Sequence, residues 1–283
     1  MTAGTPTAVP YPAFLQGNAG RLFTLHFKPD APDRGAILCV PPFGEEMNRT
    51  RALMAAQARA FAGMGYGCLL LDLFGTGDSG GDLPDATWEI WRSDVENAAR
   101  WLADHSEGPI SLWGIRLGCL LAAEVAAMHP DMFERLLFWQ PVADGKTYLT
   151  QTLRLRVSAL VDRNEPPETT AEMRERLAGG ALLEVSGYVL PGALTEALDR
   201  TRLVDLKRLA GQRVDWLECV ADAERPLPGG ASKTLEQLTA SGVEVQAHAV
   251  VAPQLWTLHK QAKADGLLHA TSALFSERAG DER

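Results

Sequence analysis

One short stretch carries the most chemical information, Gly114-Ile115-Arg116-Leu117-Gly118 within SLWGIRLGCLLAAEVA. An apolar run reading as a strand enters it and an apolar helix leaves it at once. Two glycines at this spacing let the chain turn sharply without Cβ clashes. The central residue then projects at a helix N-terminus, where free backbone N–H groups can hold an oxyanion. A serine there would be a nucleophile, but this chain has arginine. Guanidinium stays protonated and offers five donors and no acceptor, so it cannot attack a carbonyl. In enzymes built on such a serine, losing the nucleophile lowers turnover on the order of 10⁶-fold. A cation beside a helix N-terminus is also unfavourable by roughly 0.3–1 kcal/mol. Something anionic is therefore expected opposite Arg116, either a carboxylate of the protein or a bound carboxylate or phosphate.

The elements that must position this turn alternate along the chain. RLFTLHFKP, GAILCVPP, YGCLLLDLFG, PISLWG, RLLFWQPV, VDWLECV and VEVQAHAVV read as strands. Between them RALMAAQARAFAGMG, TWEIWRSDVENAARWLADH with Thr87 as N-cap, and LGCLLAAEVAAMHP have helical spacing. That rhythm predicts a mostly parallel sheet with helices on both faces. It breaks between 145 and 206, an Arg-rich, helical stretch interrupted by Pro166-Pro167 and Gly179-Gly180. This segment is read as a helical cap inserted into a core made of 1–144 and 207–283, with 1–12 a loose arm.

Composition bounds the function. The 283 residues are 46% hydrophobic with a net charge of −9, which suits a globular fold and argues against nucleic-acid binding. Cys39, Cys68, Cys119 and Cys219 lie in apolar runs without paired spacing, which predicts buried free thiols and a cytoplasmic protein. No secretory leader and no membrane-spanning stretch is legible. Histidine pairs at metal-ligand spacing are absent, so neither metal nor cofactor is expected. The oligomeric state is not legible.

Here a resemblance adds to the residues. PPFGEEMNR (41–49), DLFGTGDSGGD (72–82), WGIRLG (113–118), WQPVADGKTYL (139–149) and SGYVL (186–190) resemble the α/β-hydrolases, and more narrowly the exosortase A system-associated hydrolase 2 family. The resemblance runs from about Leu22 to Trp256. It implies the α/β-hydrolase fold, with Arg116 in the nucleophile elbow, where that family also carries arginine. Its members belong to exopolysaccharide and sorting gene neighbourhoods, and "hydrolase" there is a fold-level label.

The resemblance also ranks partners for Arg116. Glu45 and Glu46 fall where the fold has its oxyanion-hole loop, and Glu224 falls near the usual triad acid, with Asp222 beside it. Phe43, Gly44, Ile115, Leu117 and Trp256 are the expected pocket lining, joined by Trp88, Trp91 and Trp139. The triad histidine is missing from its place, because Ala252-Pro253-Gln254-Leu255-Trp256 follows the last strand. His259 comes late and His248 alternates within a strand. Cys119 at the helix start and Ser79 in the GTGDSGG loop are the substitute nucleophiles. Arg154, Arg156, Arg163, Arg174 and Arg176 either form a solvated cap face or join Arg116 around an anion. Two functions follow: an enzyme acting on a small acyl, ester or carboxylate compound by non-triad chemistry, with Glu45, Glu46 or Glu224 as base, or an inactive pseudohydrolase that binds an anionic ligand or a protein partner.

Overall fold

The computed structural model describes residues 8–30, 32–254 and 264–276. Its centre is an eight-stranded sheet. In chain order the elements are β1 (Pro10–Gln16), β2 (Arg21–Phe27), β3 (Ala36–Val40), α1 (Glu45–Gly63), β4 (Gly67–Leu71), α2 (Trp88–Ala103), β5 (Ile110–Ile115), α3 (Leu117–Met128) and β6 (Phe133–Trp139). Then come α4 (Gly145–Asp162), α5 (Thr170–Ala178), the hairpin β7 (Leu183–Val185) and β8 (Tyr188–Leu190), α6 (Gly192–Arg200), β9 (Arg213–Val220), α7 (Gly229–Ala240), β10 (Glu244–Val251) and α8 (Asp265–Ser276). The strand order is β1-β2-β4-β3-β5-β6-β9-β10. β1 and β2 run antiparallel to their neighbours, and the other six are parallel.

Every residue of β3 and β5 is buried, because helices cover both faces. Such central strands read as unbroken apolar runs, and AILCV and ISLWGI are of that kind. Thr87 caps α2, its side chain accepting from the Ile90 N–H. Two boundaries differ from the sequence reading. The loose arm expected over residues 1–12 gives way by Pro10 to an edge strand held along its length by β2. The helix expected from Arg51 begins at Glu45, so Glu45 and Glu46 form its first turn instead of a loop. Acidic residues are favoured there by the helix dipole. Between β6 and β9 lie α4, α5 and α6 together with the β7–β8 hairpin, which helical patterning did not foresee. Ser186 and Gly187 both have positive φ, as the tight turn of a two-residue hairpin requires.

Two buried ionisable groups bracket the core with opposite effects on stability. Asp94 on α2 has one carboxylate oxygen accepting from the Phe74 N–H at 2.9 Å and the other without a hydrogen bond. Burial raises its pKa from 3.8 to about 7. The folded chain thus binds the Asp94 proton more tightly than the unfolded one. This contribution falls as pH rises from about 4 to 7, by at most ~4 kcal/mol. His26 is the reverse: burial lowers it from 6.5 to about 4, so its contribution is lost as pH falls from 6.5 to 4. The Asp94→Asn variant is expected to lose the decline towards pH 7 and show a rise from pH 4 to 6.5. Urea midpoints between pH 4 and 8 measure this, and a profile parallel to the parent's counts against it.

Candidate functional site

β5 ends at Ile115 and α3 begins at Leu117, so the turn between them is one residue, Arg116. Its backbone sits at φ 54°, ψ −118°, outside the comfortable regions for an L-residue. A Cβ on Gly118 would lie 2.3 Å from the Val40 carbonyl oxygen, and one on Gly114 would lie 2.5 Å from the Cys119 Cα. Both glycines are there because strand and helix backbones nearly touch. The Arg116 N–H is held by the Trp139 carbonyl at 3.0 Å, and its own carbonyl accepts from Cys119 and Val142. Neighbouring backbone therefore fixes the strained turn.

The anionic partner expected opposite Arg116 is Glu46. Arg116 Nε and Nη2 both donate to Glu46 Oε1 at 3.3 Å, and Nη1 donates to the Gln140 carbonyl at 3.2 Å. The two side chains are 14% and 19% exposed, so water screens the pair only partly. Tyr148 on α4 donates to Glu46 Oε2 at 3.4 Å, tying the 145–206 segment to the elbow. Burial raises the Glu46 pKa, and Arg116 opposes that rise. Glu45 faces outward on the same turn and pairs with Arg49.

Behind Arg116 lies a second carboxylate. Glu218 on β9 is buried and accepts from Gln140 Nε2 at 2.7 Å and Trp216 Nε1 at 2.8 Å. The Gln140 side-chain oxygen accepts from the Cys219 N–H at 2.7 Å. Burial raises the Glu218 pKa as well. Sequence reasoning missed Tyr148, Gln140 and Glu218. The legible signal for Glu218 was a carboxylate inside the apolar run DWLECV; Tyr148 and Gln140 lay inside WQPVADGKTYL with no role attached.

Several expected site residues lie elsewhere. Glu224 and Asp222 are exposed in the loop after β9, where Asp222 receives the Glu224 N–H and pairs with Arg225. That loop stays in water because it follows the end of the strand. Ile115 points away from the pocket, buried with Trp113 and Trp139 in the cluster on the opposite sheet face, as strand alternation dictates. Cys119 is fully buried and its thiol is pushed well above the ordinary range, so the helix N-terminus does not activate it. The other three cysteines are also buried free thiols. The Ser79 hydroxyl is committed to structure, accepting from the Phe23 N–H and donating to the Asp72 carbonyl. His248 faces Asp215 at 3.8 Å in the sheet. His259 and Trp256 lie outside the described residues.

Phe43, Gly44 and Leu117 do line a pocket, together with Pro41, Met47, Leu73, Trp88, Trp91 and Leu121. It is a narrow slot of about 10 Å³, room for one water or methyl group. Phe43 and Gly44 also border a second cavity of about 70 Å³ against α4 and the β7–β8 hairpin, with Glu45, Glu46, Tyr148, Ser186 and Tyr188 in its wall. The arginines of the 145–206 segment bind its own acids: Arg156 and Arg176 pair with Glu168, and Arg174 with Asp199. Arg154 and Arg163 are exposed. No group of three or more metal-ligating side chains occurs among the described residues.

The family model of the X-Pro dipeptidyl-peptidases (S15 family) matches residues 20–171, more than half of the chain, with the elbow inside the match. The chain belongs to the S15 family. This S15-family chain has the α/β-hydrolase fold. It superposes on Est1E of Butyrivibrio proteoclasticus, solved with ferulic acid bound, with a TM-score of 0.69 at 14% identity, covering 95% of this chain and 100% of that one. A carboxyl esterase from Bacillus coagulans follows at 0.65 and 13%, over 96% and 99% of the two chains. Mouse α/β-hydrolase domain-containing protein 10 gives 0.55 and 18%, over 95% and 98%. Human palmitoyl-protein thioesterase ABHD10 is 32% identical over 108 residues, 38% of this chain. The match spans about a third of that relative, 34% of its length. No helix among the described residues is long and apolar enough to cross a membrane.

Proposed function

We propose that this S15-family chain binds a small acyl compound at the elbow without serine acyl transfer, as a pseudohydrolase of the exosortase A system-associated type. The observation that carries this is the pairing of Arg116 with Glu46, which puts an ion pair where a triad enzyme has its nucleophile. The apolar slot beside it, walled by Phe43, Trp88, Trp91 and Leu117, has room for the terminal methyl of an acyl group. An anionic ligand gains less support, because Glu46 already neutralises Arg116 and the described residues that line the two cavities beside the elbow include no cation. The narrower family rests on PPFGEEMNR, WGIRLG and the three other segments that resemble it. A cytoplasmic site of action goes with this reading, supported by four buried free thiols.

A second reading is favoured by one observation. Burial raises the Glu46 carboxyl towards the range useful to a general base, so Glu46 could activate water against an acyl group in the slot. Its rate would rise with pH through the Glu46 pKa, which lies above that of an ordinary glutamate.

A fluorophosphonate probe and a panel of esters, thioesters and lactones separate the readings. Binding without turnover, and labelling that is equal in native and boiled protein, is the expected result. Labelling of native protein alone would overturn it by revealing an activated serine. Turnover that falls ~10²–10⁴-fold in Glu46→Gln would instead establish the water mechanism.

A further inference from the structure

The β6–β9 ladder ends in an exchange between main chain and side chain. Its last paired residues are Trp139 and Leu217, and the next residue, Gln140, donates its N–H to the Leu217 carbonyl at 2.8 Å. In a regular parallel ladder the Gln140 carbonyl would then accept from the Cys219 N–H. Instead Gln140 turns to φ 44°, and its side-chain oxygen accepts that N–H at 2.7 Å. The released carbonyl accepts from Arg116 Nη1 at 3.2 Å. We propose that Gln140 is the positioning residue of the elbow: its amide stands in for its carbonyl in the sheet, so that the carbonyl holds Arg116 against Glu46. This deepens the ion-paired reading of the elbow and involves no ligand.

The role needs an amide. One end accepts from a backbone N–H and the other donates to a carboxylate, Gln140 Nε2 to Glu218 Oε1 at 2.7 Å. Trp216 Nε1 donates to the second Glu218 oxygen at 2.8 Å. Glu218 is only 4% exposed, so this fixed acceptor sets which way the amide points. A carboxylate at 140 would face a buried carboxylate, and an apolar side chain would leave Glu218 Oε1 without its donor. Positive φ at a residue with a side chain persists where its surroundings over-determine it. Here three bonds to Leu217, Glu218 and Cys219 do so.

Gln140 acts on Glu46 through Arg116. With Nη1 held by the Gln140 carbonyl, Nε and Nη2 stay aimed at Glu46 Oε1, each at 3.3 Å. A guanidinium so placed favours the ionised carboxylate against the effect of burial. The other groups facing Glu46 are Tyr148 from α4 and Arg49 from its own helix. Near Arg116, burial pushes the Cys119 and Cys219 thiols upward, Cys219 to about 12, so neither is charged at neutral pH. Loosening Arg116 therefore raises the proton affinity of Glu46.

Two NMR signals test this. One is hydrogen exchange at the Arg116 Nε–H, assigned with Arg116→Lys; the other is the titration of the Glu46 carboxyl carbon, assigned with Glu46→Gln. In Gln140→Leu, exchange at Arg116 is expected to quicken on the order of tenfold and the Glu46 midpoint to rise by about one pH unit. Gln140→Gly, unstrained at this φ, is expected to do the same and serves if the leucine variant does not fold. Gln140→Glu should also quicken exchange at Arg116, and adding Glu218→Gln should return it to the parent rate. In that pair the new carboxylate accepts from Cys219 and from the new amide, whose oxygen accepts from Trp216. Parental signals at Arg116 and Glu46 in folded Gln140→Leu or Gln140→Gly, with only the melting temperature lowered, would overturn the proposal. So would a folded double variant in which exchange stays fast. No acyl compound enters these measurements, so their failure leaves the acyl-binding reading standing.

Discussion

Replacing Asp215 by alanine is expected to cost about 3–5 kcal/mol, because it strands a guanidinium in the core. Arg135 and Asp215 are 1% and 0% exposed and join β6 to β9. Arg135 Nε donates to Asp215 Oδ2 at 2.9 Å, and a second contact from Nη2 reaches the same oxygen. Nη1 donates to the Leu274 carbonyl of α8 at 3.0 Å, and the guanidinium lies 4.4 Å from the Phe275 ring centroid. One arginine thus holds two strands and the last described helix. Arg213 and His248 approach the same carboxylate at 3.8 Å, so its removal leaves several donors facing nothing. At a few degrees per kcal/mol, the melting temperature should fall on the order of 10 °C. The pair itself is not the source of stability, since two charges pay heavily for leaving water. Arg135→Met with Asp215→Leu is therefore expected to recover most of the loss. A loss below about 1 kcal/mol in Asp215→Ala, read from urea midpoints, would show that water reaches the pair.

Gly118→Ala is expected to be as damaging, through steric conflict instead of charge. The new methyl would stand 2.3 Å from the Val40 carbonyl oxygen and 2.5 Å from that of Pro41. Both are backbone atoms of the segment leading to Phe43 and Gly44, so relief requires moving the elbow away from that wall. Overpacking costs roughly 1–3 kcal/mol where side chains can adjust, and more where backbone must shift. Gly230→Ala in α7 is the control: nothing lies within 4 Å of the added methyl, and alanine there should stabilise by about 0.4–1 kcal/mol. Thermal melts of the two variants should therefore move in opposite directions. A Gly118→Ala protein as stable as the parent would mean that strand and helix can separate at the elbow.

The consequence for the site is specific. Arg116 holds a backbone conformation that no arginine prefers, and it does so because its neighbours' backbone bonds are already satisfied around it. The glycines at 114 and 118 make the turn possible; the residue between them is free to change chemistry without changing the fold. That is how this turn can carry a cation in a chain whose fold still superposes on that of a carboxyl esterase.

Much of this was legible before any coordinates. Alternating apolar runs and helical periods were enough for a parallel sheet layered with helices, because burial on both faces forces unbroken hydrophobic strands. The turn was legible because its glycines answer a local requirement, and that Arg116 itself cannot act as a nucleophile followed from the nature of arginine alone. Glu46 was named as one of several partners, but sequence distance could not rank it above Glu45 or Glu224. The start of α1 at Glu45 decided between the first two: it turns Glu46 inward and Glu45 out. The exposed loop after β9 removed Glu224. Tyr148, Gln140 and Glu218 meet the site from α4, the end of β6 and β9, elements that become neighbours only when the sheet assembles. Residue types and local periods therefore determined the elements and what Arg116 cannot do. Which carboxylate neutralises it, and what space is left beside it, was decided by tertiary packing, because burial and the direction of each side chain are properties of the assembled sheet and cap.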